Sequence, residues 1–206
     1  MFFRGVLSAI SMSGDSTAIS LTGGNQTGAI PTLESGKLPQ YLRLSFADNA
    51  AFFTGIGTAT ATSGIMLGTD NSVIYKVPAG HTHFAATTLA GTLNNQSITP
   101  LAAVTELPAA LSIAGDGLTA SVTSAATTAL AIPTTSSGKK AKYVIVQGHN
   151  ACLFRPGSSG DDIHSSLTGA RIRQSVDIVN VSGYSHMLFC KQGAGSAVIY
   201  MSPLEG

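Results

Sequence analysis

The chain has 206 residues, of which only 10% are charged, and its formal net charge at pH 7 is +1. This length allows one or two domains, and the nearly balanced charge disfavours the basic face that nucleic-acid binding requires. Soluble proteins carry about 25% charged residues on average, so the composition favours a protein that packs against protein neighbours.

The beginning of the chain does not resemble a targeting segment. Residues 1–10 contain one basic residue and a short apolar stretch that Ser8 interrupts, which is a poor match to a signal peptide. No run of 18 apolar residues occurs in the sequence, so no membrane-spanning segment is expected. We therefore predict a protein made in the cytoplasm, with no membrane partner.

Strand patterns dominate the first half of the chain. Strands are predicted over residues 17–21, 41–46 and 72–77, since residues that favour helices are scarce at helical spacing. The third of these ends at Pro78-Ala79-Gly80, which predicts a tight turn, and residues 83–87 are expected to return as its partner strand. A closing strand is predicted to end at Leu101.

The second half repeats the order of residues in the first half, at a steady offset of 101 to 103 residues. The matching segments include Gly14-Asp15 with Gly115-Asp116, Ile30-Pro31-Thr32 with Ile132-Pro133-Thr134, Ser35-Gly36-Lys37 with Ser137-Gly138-Lys139, Ser72-Val73 with Ser175-Val176, and His83 with His186. Solenoid repeats are only roughly 20–50 residues long, so the repeated unit is a whole domain.

The repeat and its many short strands together predict the fold class. Six to eight short strands per half, separated by turn signals, are typical of a β-sandwich or small barrel. We predict an all-β protein with two tandem similar domains of this kind, residues 1–101 and 102–206, which arose by internal duplication. A short linker is expected between Leu101 and Pro108.

The two halves differ most in one connecting loop. The first half has the neutral segment Thr58–Gly64, whereas the second has the mixed-charge segment Arg155–Asp162, followed by Arg171-Ile172-Arg173. Because loops carry contacts while the scaffold is kept, a contact specific to one half is expected there.

Both cysteines, Cys152 and Cys190, lie in the second half. A disulfide between two strands is one interpretation, but the shared fold does not need it, and two buried free thiols in a reducing cell are favoured. His149 precedes Cys152 by three residues, which on one strand places the two side chains on opposite faces. A thiol nucleophile is therefore disfavoured.

Several histidines and aspartates are candidate metal ligands. His81 and His83 have a spacing compatible with a metal, but only His83 has a counterpart, His186, so we predict that these side chains hold turns. Asp161, Asp162 and Asp177 could form a cation site, but acidic surface loops are common and the first half lacks the aspartate pair, so this interpretation is disfavoured.

Asp15 and Asp116 are expected in turns between strands, each after a glycine. No phosphate-binding loop, nucleophile elbow or cysteine-pair metal signature occurs in the sequence. We therefore assign no catalytic, cofactor-binding or metal residue, and predict no enzyme activity.

The half-repeat resembles small β-domains of tailed-bacteriophage virion proteins. The resemblance is carried by the strand Tyr41-Leu42-Arg43-Leu44-Ser45, the pair Phe52-Phe53, the segment from Val73 to Thr82 and the closing strand from Leu93 to Leu101, with a weaker form from Val176 to Gly183. It covers most of each half.

The resemblance implies a virion structural protein, most simply a capsid decoration (cement) protein that binds between major capsid proteins and stabilises the head. It also implies homo-oligomers, with trimers favoured, and a location in the virion after synthesis in the host cytoplasm. The alternatives are a neck or tail-collar protein and a receptor or glycan-binding module. The absence of tryptophan weighs against the glycan-binding alternative, because sugar rings usually stack on exposed aromatic side chains.

Overall fold

The computed structural model describes residues 8–57, 65–67, 72–88, 91–107, 112–164, 168–173 and 175–205. These ranges contain strands in several sheets and no helix, so the all-β prediction is confirmed. In the same ranges no helix is present that could cross a membrane.

The strands up to the middle of the chain are β1 (Ser8–Met12), β2 (Thr17–Leu21), β3 (Gln26–Ala29), β4 (Tyr41–Ser45), β5 (Ala50–Gly55), β6 (Ile65–Leu67), β7 (Ser72–Lys76), β8 (His83–Thr88) and β9 (Leu93–Glu106). The remaining strands are β10 (Ser112–Ile113), β11 (Leu118–Thr123), β12 (Thr128–Ala131), β13 (Tyr143–His149), β14 (Cys152–Gly157), β15 (Ala170–Ile172), β16 (Val176–Asn180), β17 (His186–Lys191) and β18 (Ser196–Glu205).

The chain divides into two compact units. The C-terminal unit comprises Met1–Met12, Ala103–Ser166 and Ile172–Gly206, and the N-terminal unit comprises Ser13–Ala102 and Leu167–Arg171. The predicted division after residue 101 lies one residue from the crossing at Ala102. However, the first twelve residues belong with the second half of the chain, and a five-residue segment of the second half belongs with the first.

The strands of the two units follow the same order. In the N-terminal unit one sheet has the order β2-β9-β4-β7 and the other β3-β8-β5-β6. In the C-terminal unit the orders are β11-β18-β13-β16 and β12-β17-β14-β15, although residues 170 and 171 of β15 are grouped with the N-terminal unit. The C-terminal unit has two further strands, β10 antiparallel to β18 and β1 parallel to β16.

Most predicted strands are present, but the predicted linker is wrong. The patterns at residues 17–21, 72–77 and 83–87 correspond to β2, β7 and β8. Residues 101–106, expected to connect two domains, are instead the end of the fourteen-residue strand β9. The closing strand of the first half therefore continues past Pro100, where the sequence suggested a stop.

The core of the N-terminal unit joins residues of both its sheets. Leu42 and Leu44 of β4 and Ile98 of β9 belong to the same buried cluster as Phe52 of β5 and Phe84 of β8. The Phe52 and Phe84 rings are stacked, with centroids 6.1 Å apart. Burial of such large apolar side chains is the main stabilising contribution to the unit.

The core of the C-terminal unit includes two clusters that the described residues define. Leu153 of β14 and Leu188 of β17 pack with Ile163 and Cys190 in one of them. The other is formed by Ala9, Leu107, Ile178 and Leu204. The N-terminal strand β1 therefore supplies a buried residue, Ala9, to the core of this unit.

Arg43 is buried, although the alternating pattern of residues 41–46 predicts an exposed side chain on the face opposite Leu42 and Leu44. Its exposed fraction is 1%, and its Nη1 donates a hydrogen bond of 2.7 Å to the Arg171 carbonyl. The Arg171 amide in turn donates to Ser97 Oγ at 3.0 Å. Residues 168–171, which belong to the same unit, therefore cover this face of β4, and a charged donor meets their backbone.

The turns after β3 and β12 have matching hydrogen bonds. The Leu33 amide donates to the Lys37 carbonyl at 2.9 Å, and the Thr135 amide donates to the Lys139 carbonyl at 2.8 Å. Gly36 and Gly138 both have φ of 75°, a left-handed conformation that glycine adopts without steric cost. The repeated Ser-Gly-Lys motif therefore forms one type of turn at both places.

Candidate interaction surface

Strand β7 lies at the end of its sheet and presents an open edge. It pairs with β4 through Leu42 with Tyr75 and Arg43 with Ile74, and no strand of the described ranges pairs with its other side. Val73 and Tyr75 pack against the core, whereas Ile74, on the opposite face, is 40% exposed. An exposed strand edge with an apolar centre is a template for pairing with another strand.

The same position in the C-terminal unit is covered. There Ile178 of β16 lies opposite Ile145 of β13, as Ile74 lies opposite Arg43. On its other side Ile178 pairs with Ala9 of β1, and it is only 9% exposed. The register also shows that Ser72 corresponds to Val176 rather than to Ser175, one residue away from the match made by sequence.

A polar network lies behind the β7 edge. The Thr54 hydroxyl is 2.9 Å from the Tyr75 hydroxyl and 2.8 Å from His81 Nδ1, and Thr54 is fully buried. The Tyr75 ring also makes an edge contact with Phe52 at 5.4 Å. Because Thr54 connects β5 to β7 and to the following turn, the network fixes the orientation of the Tyr75 side chain.

This network is specific to the N-terminal unit. By register, Pro156 stands at the position of Thr54 and Val179 at that of Tyr75. Neither side chain can donate or accept a hydrogen bond. Sequence reasoning missed Thr54 and Tyr75, and the only signal was a polar residue within each of two otherwise apolar strands.

A depression adjoins the C-terminal end of β7. It has a volume of about 430 Å³, and its lining includes Leu38, Lys76, Pro78 and His81. Leu38 is 44% exposed. The edge of β7, with Ile74 at its centre, and this depression therefore adjoin each other on the N-terminal unit.

The predicted histidines hold local structure. His83 Nδ1 is 2.9 Å from the Thr82 hydroxyl, and His186 Nδ1 is 2.8 Å from the Ser185 hydroxyl. His81 bonds to Thr54 instead. Among the described residues no three potential metal ligands come together.

Cys152 and Cys190 are both buried and both free. Cys152 pairs with Lys191, and Leu153 pairs with Cys190, so the two thiols point to opposite faces of one sheet. Burial raises the pKa of Cys152 from its ordinary value of 9.0 to about 12; the nearby Lys191 lowers this pKa and Cys190 raises it. Burial also raises the pKa of Cys190, with a further upward contribution from Asp162.

His149 is exposed, whereas Cys152 is buried. A thiol that keeps its proton at neutral pH is a poor nucleophile. The raised pKa of Cys152 therefore argues against the pairing of these two residues as a catalytic unit.

Two aspartates of the mixed-charge loop Arg155–Asp162 accept hydrogen bonds that hold the loop in place. Asp161 Oδ2 accepts a hydrogen bond from the Ser158 amide at 2.9 Å. Asp162 Oδ1 accepts bonds from the Thr127 hydroxyl at 2.5 Å and from the His164 amide at 2.8 Å. Asp161 therefore has a partner inside the loop, and Asp162 has partners just after it and at Thr127, outside it.

The other predicted site residues are not gathered at one place. Asp177 is buried on β16 and has a polar partner, while Asp15 and Asp116 are exposed in turns. Each of these turns lines a shallow depression, of about 330 Å³ at Asp15 and about 380 Å³ at Asp116. The segment Thr58–Gly64 lies outside the described residues.

No protein family and no curated protein matches this chain. The solved structures that are distantly similar to it include the following two. One is a conserved protein of unknown function from Pseudomonas aeruginosa PAO1, 10% identical, with a TM-score of 0.31 over 93% of this chain and 79% of the other. The second is an IolB-like protein from Salmonella typhimurium LT2, 12% identical, with a TM-score of 0.28 over 98% of this chain and 93% of the other.

Proposed function

We propose that the chain is a structural protein of a tailed-bacteriophage virion, and specifically a capsid decoration protein that binds between major capsid proteins. The observation that carries the proposal is the contrast between the two units. The edge of β16 is filled by β1 of the same chain, whereas the β7 edge is open among the residues described. A unit whose β16 edge is filled, joined to one whose matching edge is open, suits a protein that attaches to a neighbouring protein surface.

We also propose that both units are β-sandwiches of the jelly-roll type and that they arose by internal duplication. Support comes from the identical strand orders, which are those of an eight-stranded jelly roll. The matching turns at Gly36 and Gly138 add to it. Jelly rolls occur in viral capsid and lectin domains and in cupins, so the fold is compatible with a virion role.

The mechanism in this proposal is binding to the assembled shell. A protein that binds only the assembled lattice stabilises it by its binding free energy. The low content of charged residues, 10%, reduces electrostatic repulsion between neighbouring copies on the shell. In this role the chain needs neither a cofactor nor a catalytic residue.

Quantitative mass spectrometry of purified particles of the encoding virus tests the proposal. A decoration protein is expected at on the order of hundreds of copies per particle, in a fixed ratio to the shell protein. About 6 to 18 copies would instead indicate a symmetric ring in the neck or tail. Absence from the particles would contradict both virion roles.

A further inference from the structure

We propose that the edge of β7 is a self-association site, at which β7 of one copy pairs antiparallel with β7 of a second copy around a two-fold axis. This inference does not depend on the proposed function, since it rests on the register and exposure of a single strand. It commits to a two-fold contact between copies, whatever else the protein binds.

First, among the described strands, the edge of β7 is open at the position where the matching edge of β16 is paired with another strand. At the same register position in the C-terminal unit, Ile178 is covered by β1 and has an exposed fraction of 9%, against 40% for Ile74. Strand edges that must remain unpaired are usually protected by charged side chains, above all lysine, by a proline, by a bulge or by an inward charge. Strand β7 reads Ser-Val-Ile-Tyr-Lys and carries its single charge, Lys76, at the end.

Second, the residues of β7 are complementary to those of a second β7 strand that runs antiparallel to it. In an antiparallel pair centred on Ile74, this residue lies opposite Ile74 of the second copy. Val73 then faces Tyr75, and Ser72 faces Lys76. Like charges do not face each other at any position, and the central pair is apolar, which is the favourable arrangement for cross-strand pairs.

Third, a contact through β7 gives an assembly of a fixed number of chains. A two-fold contact uses the same surface on both copies and is complete with two chains. Each copy has a single β7, and the matching β16 edge of the C-terminal unit is already paired, so a β7–β7 contact leaves no second β7 edge open. Pairing through β7 therefore gives a dimer. A trimer would need a head-to-tail surface and a different set of residues.

Disulfide trapping tests the register directly. Directly opposite residues of an antiparallel pair have Cα atoms about 4.5–5.5 Å apart, which is within the span of a disulfide. We expect Ile74→Cys to form a covalent dimer under mild oxidation. The native Cys152 and Cys190 are buried and do not compete.

Tyr200→Cys is the matched control. Tyr200 is similarly exposed, at 48%, but it lies on β18, which has strands on both sides. This variant should remain monomeric under the same oxidation. Equal crosslinking of the two variants, or none for Ile74→Cys, would overturn the proposal.

Sedimentation velocity supplies an independent test on the chain without added thiols. The wild type should show a concentration-dependent monomer–dimer equilibrium. Ile74→Lys places like charges opposite each other and should weaken dimerisation at least tenfold, with an unchanged circular dichroism spectrum and with Tyr200→Lys as the control. A wild type that stays monomeric at every soluble concentration, or a trimer that persists in Ile74→Lys, would refute the two-fold contact.

Discussion

Ile74 and Ile178 stand at the same register position of β7 and β16, yet their exposed fractions are 40% and 9%. The difference arises because β1 pairs with β16 through Ala9, while no described strand pairs with the outer side of β7. Two units with the same strand order therefore present different edges, and the N-terminal strand of the chain creates that difference.

Each half should be less stable than the full chain when the protein is cut at the predicted boundary. A fragment of residues 102–206 lacks β1, so the β16 edge and Ile178 become exposed. A fragment of residues 1–101 lacks residues 168–171 and leaves Arg43 without the Arg171 carbonyl. We expect both fragments to bind a hydrophobic dye and to unfold at lower urea concentration than the full chain.

A matched fragment separates the loss of β1 from other effects of cutting the chain. Addition of a peptide of residues 1–12 to the 102–206 fragment should restore part of its stability, because the peptide supplies the missing strand. Cooperative unfolding of the isolated fragments at the full-chain midpoint would refute the assignment of these segments to the opposite units.

Arg43→Ala should destabilise the N-terminal unit. The substitution removes a buried charged donor and leaves the Arg171 carbonyl without this 2.7 Å hydrogen bond. We expect the free energy of unfolding to fall by about 1.5–3 kcal/mol, the range for a hydrogen bond to a charged group, as measured by urea denaturation. Lys37→Ala is the control, since Lys37 is exposed and should change the free energy by less than about 0.5 kcal/mol.

Thr54→Val should weaken the region behind β7. The variant keeps the shape of the side chain but removes the hydroxyl that bonds to Tyr75 and His81. The partly buried Tyr75 hydroxyl and His81 Nδ1 then lose a partner, which should lower the free energy of unfolding by about 1–2 kcal/mol. Thr54→Ser keeps the hydroxyl and should lose less than the valine variant. Equal stability of Thr54→Val and the wild type would show that the network is not stabilising.

The stability of the protein should fall in alkaline solution because of Cys152. Burial first, opposed by Lys191 and reinforced by Cys190, raises the pKa of this thiol in the folded state to about 12, while the unfolded thiol ionises near its ordinary value of 9.0. The stabilisation is therefore complete below pH 9 and is lost as the pH rises toward 12, by up to about 1.4 kcal/mol per pH unit.

Urea denaturation at a series of pH values checks this dependence. Cys152→Ala should be less stable at neutral pH, because it leaves a small cavity, but its stability should fall less steeply above pH 9. The same slope in Cys152→Ala and the wild type would assign the alkaline loss to other groups.

Local patterns in the sequence were sufficient for most strands and turns. Residues 72–77 have the pattern of a strand that ends at a tight turn, Pro78-Ala79-Gly80. The structure has β7 at this place, followed by a turn in which Gly80 has a φ of 81°. These features depend on residues that are close together in the chain, so they can be predicted from the sequence.

Contacts between distant segments were not predictable in the same way. The alternation around Arg43 indicates an exposed side chain, but residues 168–171, more than 120 positions away, bury it. The end of β9 was misjudged for a related reason. Pro100 suggested a stop, although it pairs with Leu42 within the sheet, and a strand held by its neighbours can continue past a proline.

Binding of the purified chain to the shell of its own virus tests the central claim most directly. The chain is added to shells from which the corresponding protein has been removed, and the mixture is imaged by electron microscopy with symmetry averaging. We predict saturable density at repeated positions between shell subunits, in a constant ratio to the shell protein. Bare shells at saturating concentrations of the chain would contradict the decoration role.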